Sequence, residues 1–250
     1  MVKDEPTPVG QLIGAIHDYI FPRRHTALLV AIVSAFAVRP LIGDFGIAPI
    51  VFSIALVALM LISLYIVQVD ELVGDRERLV AQKKKQSRIG WALAIPAIGE
   101  RLAIVVSPSH SIILVGLIFW LLFFGYVTWN ELRAVLRQKE VTGETISMSV
   151  STYLLMGLTW GVFYIVLYHL QPKAFSFGGS PVPPEREIFP TLIYFSLTTL
   201  STIGFGDITP VTLQSRYAAV AEGITGQFYL AILVARLVGI YMSRTTNTDT

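Results

Sequence analysis

The chain contains no cysteine, which excludes disulfides, thiolate nucleophiles and cysteine-bound metals. Charge is also scarce: 14% of the 250 residues are charged, against about 25% in an average soluble domain. There are only four histidines, His17, His25, His110 and His169. They show no metal-ligand spacing and read as interfacial residues. No cleavable leader is visible, because the first apolar run follows charged and proline-containing sequence and lacks a small-residue cleavage site. The N-terminus is therefore expected to be retained. What fills the space left by charge is apolar: 54% of residues are hydrophobic and the mean hydropathy is +0.64. The composition is that of a membrane protein. A net charge of +2 says little about partners, since in such a chain the distribution of charge matters more than its sum. Nothing in it points to nucleic acid.

A helix needs roughly 20 apolar residues to cross a bilayer. Thr26 to Ile42, Ala48 to Val69, Ile89 to Ser107, Ser109 to Asn130 and Ile146 to Leu170 qualify, and a sixth span runs from about Leu213 to Ser243. Between the last two lies Ile188 to Ile203, apolar but too short to span, bounded by "QPKAFSFGGSPVPPEREI" and "GFGD". Such a segment enters and leaves on one side. Thirteen of the nineteen Lys and Arg fall in segments that share a side with the N-terminus, Arg76 to Arg88 being the densest run. The positive-inside rule then predicts cytoplasmic termini and an external re-entrant segment.

Pro190 suits the first turn of a short helix, with Glu185 and Glu187 just ahead of its positive end. That helix is expected to run to about Leu200, its negative end aimed into the membrane and favouring a cation. The sequence after it is Ser201, Thr202, Ile203, Gly204, Phe205, Gly206, Asp207. Glycines at alternate positions adopt positive φ without strain and let successive carbonyls turn to one side. Carbonyls arrayed in this way replace the water shell of a cation.

"TIGFGD", preceded by a short apolar helix and followed by an apolar span, resembles the selectivity filter of potassium channels over about Ile146 to Ser243. The resemblance implies K+ ions held by the hydroxyl and carbonyl of Thr202 and by carbonyls of Ile203, Gly204, Phe205 and Gly206. It further implies Asp207 at the outer mouth, with Tyr194, Phe195, Thr198, Thr199 and Ser201 supporting the filter and Gly226 as a gating hinge. Glu222, an ionisable residue within the last span, reads either as a filter support reaching Thr198 or Thr199 or as a polar contact between helices. Gly226 reads equally as close helix packing. Where the family more often has Tyr this chain has Phe205, which removes a hydroxyl that tethers the filter to the pore-helix aromatics. Because the family's filter needs four segments and each chain carries one, a homotetramer is implied.

The same letters match the Gly-x-Gly-Asp motif of intramembrane aspartyl proteases. That chemistry needs a second membrane-embedded Asp. Asp44 and Asp70 stand at span ends on opposite faces, so an enzyme is not expected. The alternatives are a weakly selective cation channel and, more remotely, the protease or a non-conducting scaffold.

The expected fold is an all-α membrane protein of the prokaryotic channel type. Residues 1–25 form a cytoplasmic segment whose helix is either interfacial or docked under the channel, 26–130 a four-helix transmembrane domain, 131–145 a cytoplasmic linker, 146–244 the pore domain and 245–250 a polar tail. It belongs in the plasma membrane, with Arg76 to Arg88 available to anionic lipids. No regulatory domain is expected after the last span. The fourth span, Ser109 to Asn130, holds no Lys or Arg, so steep voltage gating is not expected. Arg133 and Arg137 are placed in the linker, Arg236 at the end of the last helix, and Glu100 is paired with Arg39.

Overall fold

The computed structural model describes residues 23–42, 48–70, 88–100, 103, 109–179 and 181–248. The expected N-terminal helix, Arg76 to Lys85, Arg101 and the side chain of Arg39 lie outside the described residues, and with them the proposed partner of Glu100. The helices are α1 (Arg24–Ile42), α2 (Ala48–Asp70), α3 (residues 88–100), α4 (His110–Val135), α5 (Gly143–Leu170), α6 (Glu185–Leu200) and α7 (Leu213–Thr248). Two strands, β1 (Phe175–Ser176) and β2 (Thr209–Pro210), pair antiparallel, so the chain is mostly but not wholly α-helical. Among the described residues, three helices are long and apolar enough to cross a membrane: His110–Val135, Gly143–Leu170 and Leu213–Ile240.

Local chemistry sets the helix ends. The Ser109 hydroxyl accepts the Ile112 N–H at the start of α4. At α5, Thr142 and Thr145 form a reciprocal capping box that satisfies two otherwise orphaned amides. Helix α6 begins three residues earlier than the proline reading placed it. Its N-cap is Pro184, whose extended backbone cannot continue a helix backwards. Glu185 and Glu187 therefore lie in the first turn itself, and Pro190 sits inside the helix.

Helix α4 runs past Asn130 to Val135, which brings Arg133 into its last turn with the guanidinium 4.6 Å above the Trp129 ring. Arg137 follows the helix in a turn, so the two arginines do not share a helical face. Arg236 stands well inside α7 and donates from Nη2 to the Gln138 carbonyl at 2.8 Å, holding the α4–α5 linker instead of a helix end.

Helix α5 is the hub, packing on α1, α4, α6 and α7. It is buried nearly all round, and many of its buried residues are small: Ser149, Ser151, Thr152, Gly157 and Gly161. Small residues let helix backbones approach closely, which matters in lipid because apolar burial alone does not drive helices together there. Trp120, Phe123 and Phe124 of α4, Leu155 and Val162 of α5, and Ile193 of α6 belong to one buried cluster that also takes in α1, α2 and α3. The first helix is bolted directly to α5: the His25 N–H donates to Glu144 Oε2 at 3.1 Å and Thr26 Oγ1 to Glu144 Oε1 at 2.5 Å. His25 is consequently buried, with Nδ1 3.4 Å from Glu131 Oε2, and is not an interfacial residue.

Candidate ion-conduction site

Helix α6 lies in a seat cut by glycine. A β-carbon at Gly157 would stand 2.6 Å from Leu197 Cδ2, and one at Gly161 would collide with Ile193, including its Cα. The spacing Gly157-x-x-x-Gly161 on α5 is the small-residue pattern that admits a neighbouring helix. That signal was present in the sequence and points to the α6 seat.

Beyond Ser201, the C-cap of α6, the amides of the next three residues fold back. Thr202 N–H donates to the Thr199 carbonyl at 3.0 Å, and Ile203 and Gly204 N–H both donate to the Thr198 carbonyl, at 2.9 and 3.1 Å. Among the described residues all peptide bonds are trans, and in a trans peptide the carbonyl points opposite to the N–H of the following residue. The carbonyls of Ser201, Thr202 and Ile203 therefore face away from α6, on the exposed side of the segment.

The backbone alternates accordingly, with φ of 58° at Thr202, 50° at Gly204 and 79° at Gly206. Thr202 is the one non-glycine among the described residues in this region. For a β-branched residue such a conformation is an outlier, costing about 1–3 kcal/mol, and strain of this kind concentrates at functional sites.

The supporting residues divide. Thr198 is buried and its hydroxyl donates to the Phe195 carbonyl at 2.9 Å; Ser201 Oγ donates to the Leu197 carbonyl at 2.6 Å. Tyr194 donates its hydroxyl to Asp207 Oδ2 at 2.9 Å, and its ring stacks parallel to Phe205 with centroids 6.4 Å apart. That hydrogen bond pushes the Tyr194 phenol above its ordinary value. A tether from α6 is thus present at Asp207, two residues beyond Phe205. Phe195 turns the other way, buried edge-on against Tyr164 and Phe175 at 5.1 and 5.3 Å.

Glu222 does not reach Thr198 or Thr199. It meets Ser196, two to three residues further back along α6, and Tyr164 of α5. The register explains this: Gly226 faces Leu200, so Glu222, one turn before it, faces Ser196. Helix α7 passes through Gly226 without a break.

The segment after Asp207 is pinned as well. Phe175 pairs with Pro210 and Ser176 with Thr209, the Val211 N–H and the Ser215 hydroxyl both donate to the Ala174 carbonyl, and Gly178, at φ 58°, lies against the Asp207 carbonyl. A β-carbon at Gly178 would stand 2.9 Å from that oxygen. The sequence offered the glycines of this loop but not their target.

A short helix ending in a strained, alternating segment with outward carbonyls, held between two apolar helices, defines the class of a membrane ion pore. Comparison with known proteins narrows it. Residues 152–243 match a family model described as "Ion channel". The chain is 32% identical over 71 residues to Potassium channel protein kcv of Paramecium bursaria Chlorella virus 1, covering 28% of this chain and 76% of that one. It is 32% identical over 103 residues to Two-pore potassium channel 4 of Arabidopsis thaliana, covering 41% and 33% respectively. Protein LctB of Geobacillus stearothermophilus is 29% identical over 115 residues, 46% of this chain and 85% of the relative. The chain spans only a third of the length of the Arabidopsis relative and less of a rice one. The chain belongs to the potassium channel family, and with its apolar helices it is a membrane protein and not an enzyme.

Proposed function

We propose that four copies of this chain form a K+-selective pore that conducts passively and is not steeply gated by voltage. The observation that carries the reading is the set of three amides, Thr202, Ile203 and Gly204, turned back onto α6, which leaves the carbonyls of Ser201 to Ile203 on the opposite side. In this reading Thr202, Ile203, Gly204, Phe205 and Gly206 ligate dehydrated K+, and Asp207, fixed by Tyr194, sets the charge of the outer mouth. Six spans, a re-entrant α6, cytoplasmic termini and a plasma-membrane location of prokaryotic type complete it, with Arg76 to Arg88 beside anionic headgroups.

Tetramerisation is supported by α7. Tyr217, Val220, Ile224, Phe228 and Ile232, spaced three or four residues apart, form an apolar stripe that one chain alone leaves more than half exposed. Neighbouring copies would cover it and close the carbonyls into a ring.

The test is reconstitution of the purified chain in liposomes with K+ and Na+ fluxes measured in parallel. K+ flux well above Na+ flux is expected. Equal fluxes would leave a weakly selective cation pore, and no flux would overturn the channel reading.

A further inference from the structure

Glu222 is fully buried on α7, with one carboxyl oxygen toward α5 and the other toward α6. Tyr164 of α5 donates its hydroxyl to Oε2 at 2.6 Å. Oε1 lies 2.5 Å from Ser196 Oγ, and the same Ser196 Oγ lies 2.6 Å from the Gly157 carbonyl oxygen. Five oxygens in series make three short contacts.

Each contact needs one proton, and the donors are countable. A serine hydroxyl has one proton, a tyrosine hydroxyl has one, and a backbone carbonyl can only accept. The Tyr164 proton is used toward Oε2. The Ser196 proton is required at Gly157, because nothing else in that contact can supply one. The 2.5 Å approach of Ser196 to Glu222 then lacks a proton unless the carboxyl carries it. With an ionised carboxylate, one serine proton would face two acceptors, and one oxygen pair would be pressed together with no hydrogen between.

We infer that Glu222 is held as a neutral carboxylic acid. It forms a directed strut, Tyr164 O–H to Glu222, Glu222 O–H to Ser196, Ser196 O–H to the Gly157 carbonyl, which positions α6 behind the proposed filter. No Lys, Arg or His among the described residues is hydrogen-bonded or ion-paired to Glu222. The titratable groups facing it are the phenols of Tyr164 and Tyr153 on α5; α6 presents Ser196, which does not titrate in this range. A buried carboxylate with no cation beside it is costly, which favours the same protonation state.

Ser196 stands two residues before Thr198, whose carbonyl holds the Ile203 and Gly204 amides. A loosened Ser196 would let the end of α6 shift and misalign the carbonyls beyond it. Glu222 is in this sense a positioning residue, and its effect on conduction rests on the channel reading, whereas its protonation does not.

Two measurements on the full chain in liposomes separate these. Infrared difference spectroscopy at neutral pH should show a carboxylic-acid C=O stretch that disappears in Glu222→Gln; absence of the band would overturn the inference. In flux assays Glu222→Gln should conduct nearly as the native chain, because its amide donates to Ser196 and accepts from Tyr164. Glu222→Ala and Ser196→Ala should lose roughly tenfold in K+ flux, the size expected when buried polar groups lose their partners. At alkaline pH the native chain should lose flux that Glu222→Gln keeps. An assembled Glu222→Gln protein as impaired as Glu222→Ala would refute the neutral strut. If the native chain carries no K+, the channel reading fails by itself and the infrared band still decides the proton.

Discussion

Gly226 lies so close to Leu200 that a β-carbon on the glycine would stand 2.5 Å from the leucine carbonyl oxygen. The same carbonyl, at the last residue of α6, accepts the Tyr153 hydroxyl at 3.1 Å. Space at Gly226 is therefore reserved for a backbone group that already has a partner. Gly226→Ala should destabilise the assembled protein by about 1–3 kcal/mol, the usual cost of overpacking, read as a lower thermal midpoint. An alanine variant of native stability whose opening alone is changed would favour a hinge over close packing.

Thr202 combines a strained φ with a hydroxyl at the inner end of the proposed filter. Thr202→Ala keeps the strain and removes the hydroxyl; Thr202→Gly removes both. Each should weaken block by Ba2+ by roughly tenfold, the scale of one lost contact to a charged group. The glycine variant alone should gain stability, by about 1 kcal/mol or more as the strained position is relieved. Unchanged block in both would displace Thr202 from the site.

The Tyr194–Asp207 hydrogen bond joins α6 to the end of the glycine-rich segment. Tyr194→Phe preserves the ring stacked on Phe205 and deletes only the bond. Currents from this variant should decline faster during sustained opening at low external K+, with reversal potential unchanged at first. Identical decline would mean that the aromatic stack by itself holds the segment.

Voltage sensing by tens of kcal/mol requires about three to four charges per subunit to move through the field. Helix α4 carries one arginine, Arg133, in its last turn and already placed over Trp129. Conductance should therefore change shallowly with voltage. A steep curve equivalent to several charges per channel, and not produced by ion block, would contradict this.

The exposed stripe on α7 predicts the assembly. Native mass measurement in mild detergent should give a tetramer, and Phe228→Asp, which places a charge at the centre of that stripe, should shift the population toward smaller species. A native chain that remains monomeric or dimeric would sink the proposed pore.

The relationship of sequence to structure differs from residue to residue. Membrane residence follows from composition, because the bilayer tests every residue of a span against the same apolar solvent. The positive φ at Gly204 and Gly206 was also legible, since the steric freedom of a glycine belongs to the residue itself. So were the end of α6 at Leu200 and the close packing that was one of two readings of Gly226.

What the tertiary structure decided were contacts between elements distant in the chain. Phe195 and Tyr194 are neighbours, yet one packs into the core on Tyr164 and the other stands over Phe205, because successive helical residues point about 100° apart. The partner of Glu222 depended on how α7 slides along α6; a shift of one turn would have brought it to Leu200. His25 was drawn into the interior by Glu144 and Glu131, more than a hundred residues away. Composition and backbone preference act on each residue where it stands, while the register between helices is fixed only when glycines such as Gly157, Gly161 and Gly226 let their backbones meet.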